Sequence, residues 1–191
     1  AWGASNVIDR VAQKLPQATE DNRLRAVIDA GWHPLWDDEE YRLSGLDQSD
    51  VDIYTEAVTL WGSELSAACY ADEGERCIMP PVVWPYHPIP VLIQQNARDI
   101  GHLVPHEIDP YTDDEGADRW QANIRTSMKD VDWLFSGSET FLNGVGYHGI
   151  ILESGMWDIC PQWPKTCAPG TTFPEILSKF WADDEPYRME F

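Results

Sequence analysis

Three groupings in this chain of 191 residues hold side chains able to do chemistry. The first is carboxylate. Glu153, in YHGIILESGMW, closes an apolar run. A carboxyl group there loses part of its hydration, which raises its pKa toward the value a general acid needs. Paired with Asp109, Asp113, Asp114 or Asp158, it would form the two-carboxyl arrangement that cleaves a glycosidic bond. The plainer role is a helix cap or a partner for a nearby arginine. The second grouping is a donor set for a transition metal. His102 and His106 stand four apart, as in H-E-x-x-H sites, with Glu107 and Asp109 beside them. Pro105 lies between the two histidines and should end a helix, so only a loop site, or two ordinary loop histidines, would remain. The neighbouring acids Asp109, Asp113, Asp114, Glu115 and Asp118 are hard oxygen donors suited to Ca2+. They miss the EF-hand spacing, since Tyr111 occupies the third loop position, and helix capping accounts for them equally well. The third grouping is aromatic: Trp32, His33 and Trp36 in GWHPLW, and Trp84, Tyr86 and His87 in VVWPYHP. If these stretches meet, they form an aromatic groove for a sugar, a proline-rich peptide or a cationic group. If not, the indoles cover the core beneath long loops.

Around Glu153 the string from 147 to 157 resembles the helix end that carries the catalytic glutamate of lysozyme-like transglycosylases, where Glu-Ser-Gly also follows an apolar run. That resemblance implies cleavage of a polysaccharide with Glu153 as proton donor and Tyr147 and Trp157 stacked on sugar rings. The sequence contains no G-x-S-x-G, no Gly-rich phosphate loop and no Cys/His nucleophile pattern, so no nucleotide cofactor is expected.

Charge narrows the partners. Thirteen basic against 33 acidic side chains give a formal charge of −20. Nucleic acid and anionic membrane surfaces would repel such a chain within a Debye length of roughly 8–10 Å. A cationic partner, metal ions or an acidic or salty medium would suit it. The chain is 12% aromatic with ten Trp, which separates it from disordered acidic tails. Cys69 with Cys77 and Cys160 with Cys167 form two near-neighbour pairs whose spacings do not suit zinc. Two local disulfides are the simplest of three pairings and imply an oxidising, extracellular or periplasmic setting. No run of membrane length is present, so no membrane insertion is expected.

The elements that would position these residues read as helices. Residues 5–15 place Ile8, Val11, Ala12 and Leu15 on one face, and residues 19–30 do the same for Leu24, Val27 and Ile28. The longest periodic stretch, residues 49–71, lines up Tyr54, Ala57, Val58, Trp61, Leu65 and Ala68. Residues 79–90 hold five prolines and read as an extended crossing, after which Pro90 opens a helix over 91–104. A capping box of Thr112 and Glu115 starts a helix over 113–135, and a last helix covers 174–181. The expected fold is therefore mainly α, one compact domain (1–191) of about six helices with long Pro/Gly connections and two disulfides. Its expected function is an exported domain that binds a glycan, peptide or protein partner through an aromatic, acidic surface. A polysaccharide hydrolase using Glu153 and an accessory subunit of an extracellular assembly are the alternatives.

Overall fold

The computed structural model describes residues 5–35, 50–96, 98–109, 111–135 and 172–182. Packing groups the chain into two compact units, Ala1–Ile28 with Trp32–Val91, and Asp29–Gly31 with Leu92–Phe191. The described part is helix-rich, as expected, but it also holds a three-stranded sheet in the order β1-β2-β3. The sequence reading contained no strand, and all three lie inside stretches read as helix.

In the first unit, helix α1 (Ile8–Lys14) buries Ile8 and Ala12 but leaves Val11 and Leu15 exposed. The expected four-residue face fails because Pro16 disfavours helical geometry at the residue before it. Leu15 accordingly leaves the helix at φ −125°, ψ 55°, and Pro16 opens α2 (Pro16–Glu20). Asn22, at φ +52°, reverses the chain, a conformation asparagine tolerates. Strand β1 (Ala26–Asp29) follows, where a helix to residue 30 was expected.

The stretch 49–71 is two helices, not one. Helix α3 (Asp50–Trp61) stops at Gly62, whose φ of +61° suits glycine. The Ser63 N–H reaches the Val58 carbonyl and the Gly62 N–H the Thr59 carbonyl, a Schellman closure. That turn leaves Leu60 and Trp61 in solvent, while Val51 and Val58 pack on Ile78 and Met79. Helix α4 (Ala67–Glu73) and the 3₁₀ segment Gly74–Ile78 are joined by a Cys69–Cys77 disulfide, and both sulfurs are fully buried. The second expected bridge, Cys160 with Cys167, lies outside the described residues. The proline-rich segment is helical rather than extended: α5 (Pro80–Val83) and a 3₁₀ turn at Trp84–Tyr86. Pro80, Pro81 and Pro85 occupy the first two positions of these turns, where no donor N–H is required, and Pro88 and Pro90 lie beyond them.

In the second unit, β2 (Val91–Gln94) begins the stretch that was expected to be helix over 91–104. All four of its residues are buried, and it pairs in parallel with β3 (Trp133–Phe135), Leu92 opposite Trp133 and Gln94 opposite Phe135. The bonds Ala26 N–H to Pro90 carbonyl and Ala30 N–H to Gln94 carbonyl advance four residues on both strands, so β1 runs the same way. A strand buried on both faces reads as an unbroken apolar run, which periodicity cannot separate from buried helix. Helix α6 (Ile100–Leu103), a 3₁₀ turn at Val104–His106 and α7 (Asp114–Ser127) form the crossover between β2 and β3. Parallel strands demand such a connection. Ala117, Trp120 and Ile124 face inward on α7, as the spacing predicts. Its cap is Asp113 rather than Thr112: the carboxylate accepts the Gly116 N–H at 2.9 Å and folds so closely over Gly116 that a Cβ there would collide with it. Helix α8 (Phe173–Ala182) packs on β3 and starts with Glu175 accepting from the Thr172 N–H and hydroxyl.

Replacing both Cys69 and Cys77 by alanine should destabilise the protein by about 2–3 kcal/mol, the chain-entropy value for so short a loop. Urea unfolding checks this as a lower midpoint.

Candidate functional site

In open sheets of parallel strands, ligands meet the protein at the carboxyl ends of the strands. At and just past that end of β2, the sequence QQN-x-R-D places Gln94, Gln95, Asn96 and Asp99 in full burial. Buried polar groups must be hydrogen-bonded, and these form a network. The Gln95 amide donates to the Asn96 carbonyl and to Asp99 Oδ2, each at 3.1 Å. Gln94 donates to Asn96 Oδ1 at 3.3 Å. Asp99 Oδ1 accepts the Gly101 N–H at 2.7 Å, which also caps α6. Asp99 is thus a carboxylate with no solvent exposure, fixed from two sides by neutral donors. A group so held can orient a proton-carrying partner and stabilise positive charge on it. Arg98, the neighbour in sequence, is anchored on α7 by Asp118, by the Gln121 side-chain oxygen at 3.2 Å and by Asp114 at 3.6 Å.

The metal-donor set is not brought together. His102 and His106 are both buried against Trp120, with ring centroids 5.9 and 4.6 Å from its own. Glu107 takes a left-handed conformation that ends the 3₁₀ turn. Asp109 accepts the Tyr111 N–H at 2.8 Å, a bond that, with the Thr112 hydroxyl, holds its carboxyl below the usual range. Among the described residues no three His, Cys, Asp or Glu side chains converge on one point.

The aromatic stretches do meet, within the first unit. Trp32 lies edge-on to Trp84 at 5.9 Å, Trp84 edge-on to His87 at 5.6 Å, and His33 against Tyr54 at 5.7 Å. Trp32 and His33 are buried in this cluster, while Trp84, Tyr86 and His87 are half-buried. Burial lowers the His87 pKa to about 4, opposed by the negative charge of Asp9. Trp36, Glu153 and Asp158 lie outside the described residues. Asp99 carries no sequence signal of its own while 91–104 reads as one helix. The available signal was an abrupt change from VLI to QQN, the mark of a buried strand reaching its polar end.

No protein-family model matches the chain, and no curated protein sequence matches it. Solved structures do. Two crystal forms of the Wnt deacylase Notum from Drosophila superpose with TM-scores of 0.74 and 0.73 at 18% identity. Each covers 95% of this chain, which spans only about half of the Notum chain (49% and 51%). The shared feature is the fold, the α/β-hydrolase fold: the helix-rich character expected is present, and the parallel sheet is what the mainly α expectation lacked.

His87 ties stability to pH. Its folded pKa of about 4 lies below the ordinary 6.5, so the unfolded chain binds the proton more tightly. Stability from this group is complete above pH 6.5 and is lost as pH falls toward 4, by up to about 3 kcal/mol. Thermal melts over that window should show the loss in the wild type and a flatter curve in His87→Gln.

Proposed function

We propose that this chain forms part of an extracellular hydrolase that cleaves acyl bonds, with Asp99 as the acid that orients its catalytic base. One observation carries the reading: a fully buried carboxylate sits just beyond the carboxyl end of a strand in a parallel sheet. The α/β-hydrolase fold supports it, because in that fold nucleophile, acid and histidine follow one another along the chain. The Notum structures are of a deacylase, which suggests the reaction class for this chain. Cys69–Cys77 fits an oxidising setting, and no described helix is long and apolar enough to cross a membrane.

Three histidines follow Asp99 in sequence. His102 and His106 are committed to Trp120, which leaves His148, in GVGYHGI, as the base. In this reading the role of Asp99 is to accept the Nδ1–H of the base, which would keep Nε2 free to take the nucleophile's proton. The same imidazole, once charged, protonates the leaving group and is stabilised by Asp99. The nucleophile precedes the acid in chain order. These 191 residues contain no G-x-S-x-G and span about half of the matched chains, so the reading assigns no nucleophile among them. Glycoside cleavage by Glu153 has no described residue in its favour, and burial of Trp32 and His33 weakens a binding surface built on them.

Hydrolysis of p-nitrophenyl acetate by the full protein tests the proposal. Asp99→Asn keeps the cap on α6 but presents the wrong partner to the imidazole, and kcat should fall by about 10⁴. His148→Ala should cost a similar factor, and the double variant no more than either alone. Undiminished turnover in Asp99→Asn would end the assignment.

A further inference from the structure

The first unit contains a cavity of about 310 Å³ that the acyl-transfer reading does not use. Helix α1 contributes Asp9 and Gln13, α2 contributes Pro16 and Glu20, and the chain after α5 contributes Tyr86 and Pro88. The walls combine apolar rings with two carboxylates, and no lysine, arginine or histidine lines them. Asp9 is the unusual member. It is 6% exposed, so its charge is largely withdrawn from water. Its oxygens accept the Arg10 N–H at 2.7 Å and the Ala67 N–H at 3.2 Å, both neutral backbone donors. The one guanidinium on the same helix, Arg10, is drawn instead to Glu64. A carboxylate withdrawn from water is unfavourable unless its charge is met. The start of α4, at Ala67, offsets part of this through its dipole, and the rest faces the cavity.

Tyr86 adds a second element. Its hydroxyl donates to Asp72 at 3.1 Å, which ties the ring down, and Asp72 and Glu73 add negative charge nearby. A ring face in a negative field attracts a cation carried on an apolar stem. Pro16 and Pro88 offer surface to such a stem, and the Gln13 carboxamide offers an acceptor for an N–H. The volume lies at the small end of ligand pockets. The formal charge of −20 draws cations toward the protein and turns anions away.

We propose that this cavity binds an alkylammonium group, its charge against Asp9 and Glu20 and its carbon stem against Tyr86 and the two prolines. The group can come from a free amine or from a lysine side chain of a protein partner. The proposal does not rest on the acyl-transfer reading, and its test reads binding alone.

Isothermal titration of the disulfide-intact protein with n-pentylammonium chloride, and with the neutral 1-pentanol of the same shape, separates charge recognition from simple apolar binding. The ammonium should bind about tenfold more tightly than the alcohol and lose affinity as NaCl is raised. Asp9→Asn, which keeps the shape of the Ala67 cap, should weaken the ammonium about tenfold and leave the alcohol unchanged. Glu20→Gln, at an exposed position that cannot endanger folding, should weaken it a few-fold. Acetyl-lysine-amide (acetyl on the α-nitrogen) in place of pentylammonium distinguishes the sources: tighter binding assigns the cavity to a protein partner, weaker binding to a free amine. Equal affinity for alcohol and ammonium, no heat from either amine, or full affinity in folded Asp9→Asn would overturn the proposal.

Discussion

The parallel ladder between β2 and β3 constrains the second unit more than any other interaction in it. Leu92, Ile93 and Gln94 pair with Trp133, Leu134 and Phe135 in the same direction, so the chain must leave the end of one strand and return to the start of the next. That return is the crossover containing α6 and α7, and Trp120 and Ile124 of α7 are fully buried along it. Because β2 lies inside the sheet, its backbone donors are used in both directions and its side chains have no access to water. The chain can shed that constraint only at the strand end, where Gln95, Asn96 and Asp99 satisfy one another. The polar network is thus a product of the ladder, and it is what holds the Asp99 carboxylate out of water.

The first unit is held in a different way. Its helices are short, and its turns rely on residues with unusual backbone freedom or restriction. Gly62 ends α3, Pro16 opens α2, and Pro80 and Pro81 open α5. Helices of four to twelve residues gain little from their own hydrogen bonds, so packing and cross-linking must supply the rest. The buried disulfide sits where α4 gives way to a 3₁₀ segment, and Val83, Leu65 and Tyr86 pack around it. Asp9 joins the same region by holding the first amide of α4.

Sequence reading reached the parts of this fold whose signals are local. The spacing of Cys69 and Cys77 announced their bridge, and Ala117, Trp120 and Ile124 kept helical period along α7. It failed where tertiary context decides. Val91, Leu92 and Ile93 have no period because both of their faces are buried, so a strand looked like the start of a helix. Ala26–Asp29 is similarly short and apolar, and only pairing makes it a strand. That one error hid Asp99, which inside a helix would be an ordinary surface acid. Trp32 does meet Trp84, yet the burial that accompanies the contact is not legible in composition.

The fit of Asp113 over Gly116 has a genetic corollary. A side chain at position 116 would require the Asp113 carboxylate that starts α7 to shift, which couples the two sites. Descendants of this gene that lose the glycine should be those that have already surrendered the aspartate, or that gain another acceptor for the freed amide. Linked change at this pair would record how the crossover helix has been kept in place over evolutionary time.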